Sequence, residues 1–231
     1  MKKVLKNESF INIFIIIIYV LTNSLVSNKF GVSSYQNFFL NLVLALIVII
    51  FIFKNKLASY YGLTKIPQFK DYLYFFPLVL IIAVNFAQGI NINNSLKEIV
   101  FYILSMVCIG FLEEIIFRGF LFKMMASDNL KTAILVSSLT FGIGHIVNLV
   151  NGSELLPTIL QIIYSISLGY LFVMIFIKSK RLWPAIITHI LINALSIFSN
   201  FNNRDLIYIT IFLVIVSNLY AFYIKKINEN D

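Results

Sequence analysis

The chain has 231 residues, of which 60% are hydrophobic and 12% charged, with a mean hydropathy of +0.91. Soluble domains carry about twice that charged fraction, so the composition excludes an ordinary soluble globular protein, a disordered chain and a DNA-binding domain, and no nucleic-acid partner is expected. The excess of 18 Lys+Arg over 10 Asp+Glu must instead be read as a property of membrane-flanking loops.

Eight apolar stretches follow one another at 10–27, 35–53, 72–90, 96–123, 132–150, 155–177, 182–199 and 205–224. Lipid offers no partner to a bare backbone, so such runs must be helices. The expected fold is all-α: one membrane-embedded domain over 1–231 with eight transmembrane helices. Lys2, Lys3 and Lys6 before the first stretch imitate a signal peptide, but it ends in Thr22, Asn23 and Ser24 without a small-x-small cleavage site, and it is read as a retained span. Ser95 and Glu98 have the spacing of a capping box at the start of the fourth span, which at about 30 residues, or about 45 Å, must tilt or protrude. Gly152 and Pro157 mark the turn into the sixth span, and Pro184 falls in the first turn of the seventh, where a missing donor does little harm. There is no internal repeat. The single cysteine, Cys108, lies inside a span and forms no disulfide framework.

The breaks between stretches test this count. On alternate sides they hold Lys2, Lys3, Lys6, Lys54, Lys56, Lys65, Lys70, Lys123, Lys131, Lys178, Lys180, Arg181, Lys225 and Lys226, against only Lys29, Lys97 and Arg204 on the other. This asymmetry places both termini in the cytoplasm. The isoleucine, asparagine and lysine usage points to a multi-pass protein of a bacterial plasma membrane.

An ionisable group inside a span costs roughly 2.5–3.5 kcal/mol and asks for a reason. Five are present: Glu113, Glu114 and Arg118 in the fourth span, His145 in the fifth and His189 in the seventh, the last two being the only histidines. Glu114 and Arg118, four apart, can pair on one helix face, a role that is structural as readily as chemical. Glu113 points about 100° away and has no local counter-ion, so it is the better candidate for an active carboxylate. His145 follows Phe141 by four residues, with Gly142 and Gly144 allowing close approach of a helix or a substrate. His189 and Asn193 share a face and present an imidazole and an amide to one point. Counted from the basic ends at about 1.5 Å per residue, Glu113, His145 and His189 fall about 15, 18–20 and 10 Å deep, a common slab in the cytoplasmic half of the bilayer.

A carboxylate and an imidazole in such a cavity can deprotonate a water, and a second imidazole with an amide can donate to an oxyanion. This suffices for peptide hydrolysis without a covalent intermediate. Cys108, about 140° around the helix from Glu113, is a poor nucleophile candidate. Two histidines and a glutamate alternatively make a catalytic zinc set, although no H-E-x-x-H is present. The preferred reading needs no cofactor.

Glu113-Glu114-x-x-x-Arg118, Phe141-x-x-x-His145 and His189-x-x-x-Asn193 together resemble the three motifs of the CPBP family, the CAAX protease and bacteriocin-processing (Abi) intramembrane proteases. The resemblance covers a motif-bearing core at 95–195. It implies an eight-helix fold shared with type II CAAX prenyl endopeptidases and a glutamate-dependent endopeptidase. Glu113 and His145 would activate water, His189 and Asn193 would form the oxyanion site, and Glu114 and Arg118 would support them. The implied partner is a peptide or membrane-protein substrate cut near the cytoplasmic face. Two other classes compete: a non-enzymatic membrane partner, such as a bacteriocin-immunity protein or a regulator of a sensor kinase, and a transporter with a proton relay.

Overall fold

The computed structural model describes the backbone of residues 8–64 and 75–230, and side chains within 15–64 and 75–226. Lys2, Lys3, Lys6, Lys65, Lys70 and the start of the third apolar stretch lie outside the described residues. Among the described residues every regular element is helical, and the helices form eight rods. These are α1 (Glu8–Phe30), α2 (Tyr35–Lys54), α3 (Phe76–Phe86), α4 (Leu96–Ala126), α5 (Leu130–Val150), α6 (Leu155–Ser179), α7 (Trp183–Phe198) and α8 (Asn203–Asn230). Five of them, α2, α4, α5, α6 and α8, are long and apolar enough to cross a membrane. The shorter α3 and α7 measure about 16 and 24 Å at 1.5 Å per residue, against about 30 Å of hydrocarbon.

The caps lie where side-chain chemistry provides them. Ser95 and Glu98 close a full capping box, the serine hydroxyl accepting from the Glu98 amide at 3.3 Å and Glu98 Oε2 accepting from the Ser95 amide at 2.9 Å. Ser34 and Asn129 cap α2 and α5 in the simpler way, each accepting an amide three residues on. Prolines stand in the first turns of α3 and α7, where their absent N–H is not missed. Within α4 the α-helical pattern yields to a π-helix over Ile115–Phe122, directly after the two glutamates, and all eight of its residues are buried. Such wide turns recur at functional sites.

The molecule has two chemically different ends. At one, Leu182 N donates to Gly62 O at 3.2 Å and Trp183 Nε1 to Leu63 O at 2.9 Å, while Lys123 Nζ lies over the Tyr60 and Phe176 rings at 4.9 and 5.2 Å. Lys54, Lys178, Lys180 and Arg181 belong to helix ends on this side. At the other end, Asn28 Nδ2 donates to Val150 O, Ser24 Oγ to Asn151 Oδ1, and the Asn91 amide to Phe198 O. Leu63 and Asn91 lie against opposite ends of α7, so the chain changes ends between them. Among the described residues, Lys54, Lys123, Lys178, Lys180 and Arg181 thus share one end.

The core sits around α6, whose residues 171–176 are all buried. Large side chains such as Leu25, Phe53, Ile211 and Phe222 on α1, α2 and α8 are exposed, as helices facing lipid require. Two glycines set the distances that matter for the site. A Cβ on Gly110 would lie 3.0 Å from Ile190 N, so α4 and α7 touch backbone to backbone; one on Gly142 would lie 2.8 Å from Ile166 N and 2.9 Å from Ile162 O, so α5 and α6 do the same.

Candidate active site

Every polar side chain inside the bundle must find a partner or open onto a cavity, and both outcomes occur around Glu113 and Glu114. Glu114 is fully buried, and its Oε1 accepts from Arg118 Nη1 at 3.0 Å and from His189 Nδ1 at 2.8 Å. A carboxylate accepting from Arg118 requires the proton on His189 Nδ1, and this leaves Nε2 to face Glu113 Oε2 at 3.6 Å. His189 therefore stands between consecutive carboxylates. The Arg118 guanidinium, also fully buried, lies 4.1 Å from the centre of the Phe141 ring and 5.5 Å from that of Phe172. Cation–π contact of this kind, together with one ion pair, holds a charge that the bundle would otherwise exclude.

Phe141 is the hub. Its ring meets His145 at 5.8 Å and 79° and His189 at 5.4 Å and 89°, both edge-to-face, besides carrying Arg118 on its face. The expected packing of His145 on Phe141 is present. Among the described residues no side chain hydrogen-bonds to either His145 ring nitrogen. His145 is one of the residues lining a cavity.

That cavity has a volume of about 490 Å³. Glu113, Phe117, Phe141, His145, Asn148, Gln161, Tyr164 and Asn193 all line it. Gly144 also lines it, and a Cβ there would meet nothing within 4 Å. Of the six residues singled out in the sequence, Glu113, Glu114, Arg118 and His189 form one contiguous cluster, and His145 and Asn193 share the cavity with Glu113. Glu114, Arg118 and His189 lie behind the wall instead of on it. Asn193 is half-buried and faces the same space.

Sequence reasoning missed Tyr19. Its hydroxyl, brought in by α1, donates to Glu113 Oε1 at 3.2 Å and is the one hydrogen bond made to that carboxylate among the described residues, Oε2 being buried without one. The available signal was a polar stripe at four-residue intervals, Tyr19, Asn23 and Ser27, all three of which line the cavity. Phe172, which carries Arg118, left no trace beyond an aromatic in an apolar run.

The depth estimate needs correction. Glu113, His145 and His189 stand about 20, 22 and 9 Å from the basic ends of their own helices at 1.5 Å per residue, yet Glu113 and His189 are in contact. Helix ends are not level, so residues at unequal distances from their own helix ends still meet at one place. His145 is only about 8 Å from the far end of α5, and the remaining cavity residues, Ser27, Asn85, Asn151 and Ser199, continue toward that far end. The chamber belongs to the half opposite the basic face. Among the described residues no three His, Cys, Asp or Glu side chains are grouped to hold one metal ion, and Cys108 is free and buried.

No curated protein matches the chain. Over residues 95–195, the stretch from the capping box of α4 to the helix bearing His189 and Asn193, the chain matches the family described as Type II CAAX prenyl endopeptidase Rce1-like, a family of proteases, in agreement with the motif resemblance.

Proposed function

We propose that this protein is an intramembrane endopeptidase that hydrolyses a peptide bond with a water activated by Glu113 and His145. The observation that carries the reading is a carboxylate lining a cavity whose wall also bears an amide and an imidazole that has no hydrogen-bond partner among the described residues. In this mechanism Glu113 takes a proton from the water as hydroxide attacks the carbonyl carbon, with His145 orienting the water. The oxyanion accepts from Asn193 Nδ2. His189 lies behind this wall with its Nδ1–H given to Glu114, so its bare Nε2 faces Glu113 and accepts from that carboxyl once it has taken the proton. Glu113 then passes its proton to the leaving amine, and the second proton of the water moves from the new carboxylic acid to that amine, so that a carboxylate and an ammonium result. Glu114 and Arg118 hold His189 and take no proton.

Residues 95–195 form the catalytic core of a single eight-span domain, with both termini and the basic face in the cytoplasm of a bacterial cell. No cofactor is required. The test is hydrolysis of an internally quenched peptide by the purified full chain in detergent. Glu113→Gln and His145→Ala are expected to lower kcat by about 10²–10⁴-fold with unchanged expression and membrane insertion. Wild-type rates in Glu113→Gln, or full biological function in that variant, would instead assign the chain to the non-enzymatic membrane partners.

A further inference from the structure

The chamber above Glu113 is chemically distinctive. Apart from Glu113 and His145 its polar walls are made of neutral amides and hydroxyls, among them Asn23, Asn148, Gln161 and Ser196; no lysine, arginine or aspartate is among its described lining residues. Asn148 Nδ2 donates to Gln161 Oε1 at 2.8 Å, fixing two amides on one wall. The chamber continues to the far end of the bundle, where Ser196 is exposed. Lys54, Lys123, Lys178, Lys180 and Arg181 are at the other end.

Each of these features constrains the occupant. A cavity of about 490 Å³ lies within the roughly 300–1,000 Å³ range of ligand sites and has room for a short stretch of extended peptide. Peptide backbone brought out of water needs partners for each N–H and C=O, and side-chain amides supply both donor and acceptor. A free C-terminal carboxylate would need a cation, and a free amino terminus a second carboxylate, neither of which lines the chamber. Charged side chains next to the scissile bond would be stripped of water without a counter-ion.

Resting on the protease reading above, we infer that the chamber is a subsite for an internal, uncharged peptide segment that enters from the extracytoplasmic face. The expectation of cleavage near the cytoplasmic face is replaced: the active carboxylate is reached from the side opposite the lysines. The substrate class is a translocated or membrane-anchored peptide whose cleavage site lies outside the cytoplasm.

Two measurements test this. In intact cells, a membrane-impermeant maleimide is expected to label Ser196→Cys from outside and to spare Lys54→Cys, while inverted vesicles give the reverse; the wild-type chain, with only buried Cys108, sets the background. Labelling of Ser196→Cys in inverted vesicles alone overturns the inference. In the second measurement, a membrane-impermeant quenched peptide with uncharged residues around the cleaved bond is offered to right-side-out vesicles, inverted vesicles and detergent-solubilised protein. Right-side-out vesicles are expected to be at least about tenfold faster than inverted ones, and lysine or glutamate beside the bond to slow cleavage by at least about tenfold. Cleavage in detergent with the opposite sidedness, or indifference to charge, overturns the inference and leaves the protease standing. No cleavage of any peptide in detergent removes the protease reading and this inference with it.

Discussion

A buried carboxylate is only as useful as the groups that hold it, and Glu113 is held on two sides: by the Tyr19 hydroxyl at Oε1 and by the His189 ring beside Oε2. A hydrogen bond to a charged group is worth about 1.5–3 kcal/mol net, so Tyr19→Phe is expected to lower kcat by about 10–100-fold. Binding is spared because the ring remains in place, so KM should change little. The kcat against KM comparison on a quenched peptide checks this, and an unchanged kcat would reduce Tyr19 to a packing residue. The contrast between Tyr19 and the acids explains what could be seen in advance. Glu113, Glu114, Arg118, His145 and His189 stood out because each is costly in lipid. A tyrosine carries no such cost and passes unnoticed in an apolar run, although it makes the direct contact. His189 was visible as a residue, but its place between two successive carboxylates depends on the approach of α7 to α4 at Gly110, which no spacing within one helix reveals.

At the level of helices, close contact is set by where small residues stand, and the two glycines flanking Ile143 divide the work. Gly142 faces α6, and a methyl group there collides with backbone atoms of Ile162 and Ile166 that cannot swing aside. Gly142→Ala is therefore expected to force α5 from α6 and cost about 1–3 kcal/mol, read as a lowered midpoint of thermal unfolding in detergent. Gly144 faces open space in the chamber, and Gly144→Leu is expected to leave that midpoint unchanged while obstructing peptide entry and raising KM. Existence, order and approximate bounds of the helices were legible, because long apolar runs and the Ser95–Glu98 box admit few readings. The π-helix over Ile115–Phe122 was not: α-helical and π-helical segments share the same apolar composition, and only tertiary packing chooses between them. The levels of the helix ends were equally hidden, which is why depths reckoned helix by helix put His145 in the wrong half.

For the molecule as a whole, the matched segment 95–195 does not enclose the site by itself. α1 supplies Tyr19, Asn23 and Ser24 to the chamber, α3 contributes Asn85 and α8 contributes Leu206, Ile209 and Leu213. A chain beginning after residue 34 is expected to be inactive, with activity returning when residues 1–34 are co-expressed as a separate fragment; peptide hydrolysis in membranes from the two strains is the measurement. The neutrality of the chamber has one more consequence, for the conditions under which the protein operates. Enzymes that gather substrate by long-range attraction lose that advantage as ions shorten the Debye length from about 30 Å at 0.01 M to 3 Å at 1 M. A chamber with no lysine, arginine or aspartate among its described lining residues has little such advantage to lose. If the chamber takes the uncharged peptide segment proposed above, its capture is expected to proceed at nearly the same kcat/KM from dilute buffer to molar sodium chloride, whatever the salinity around the cell.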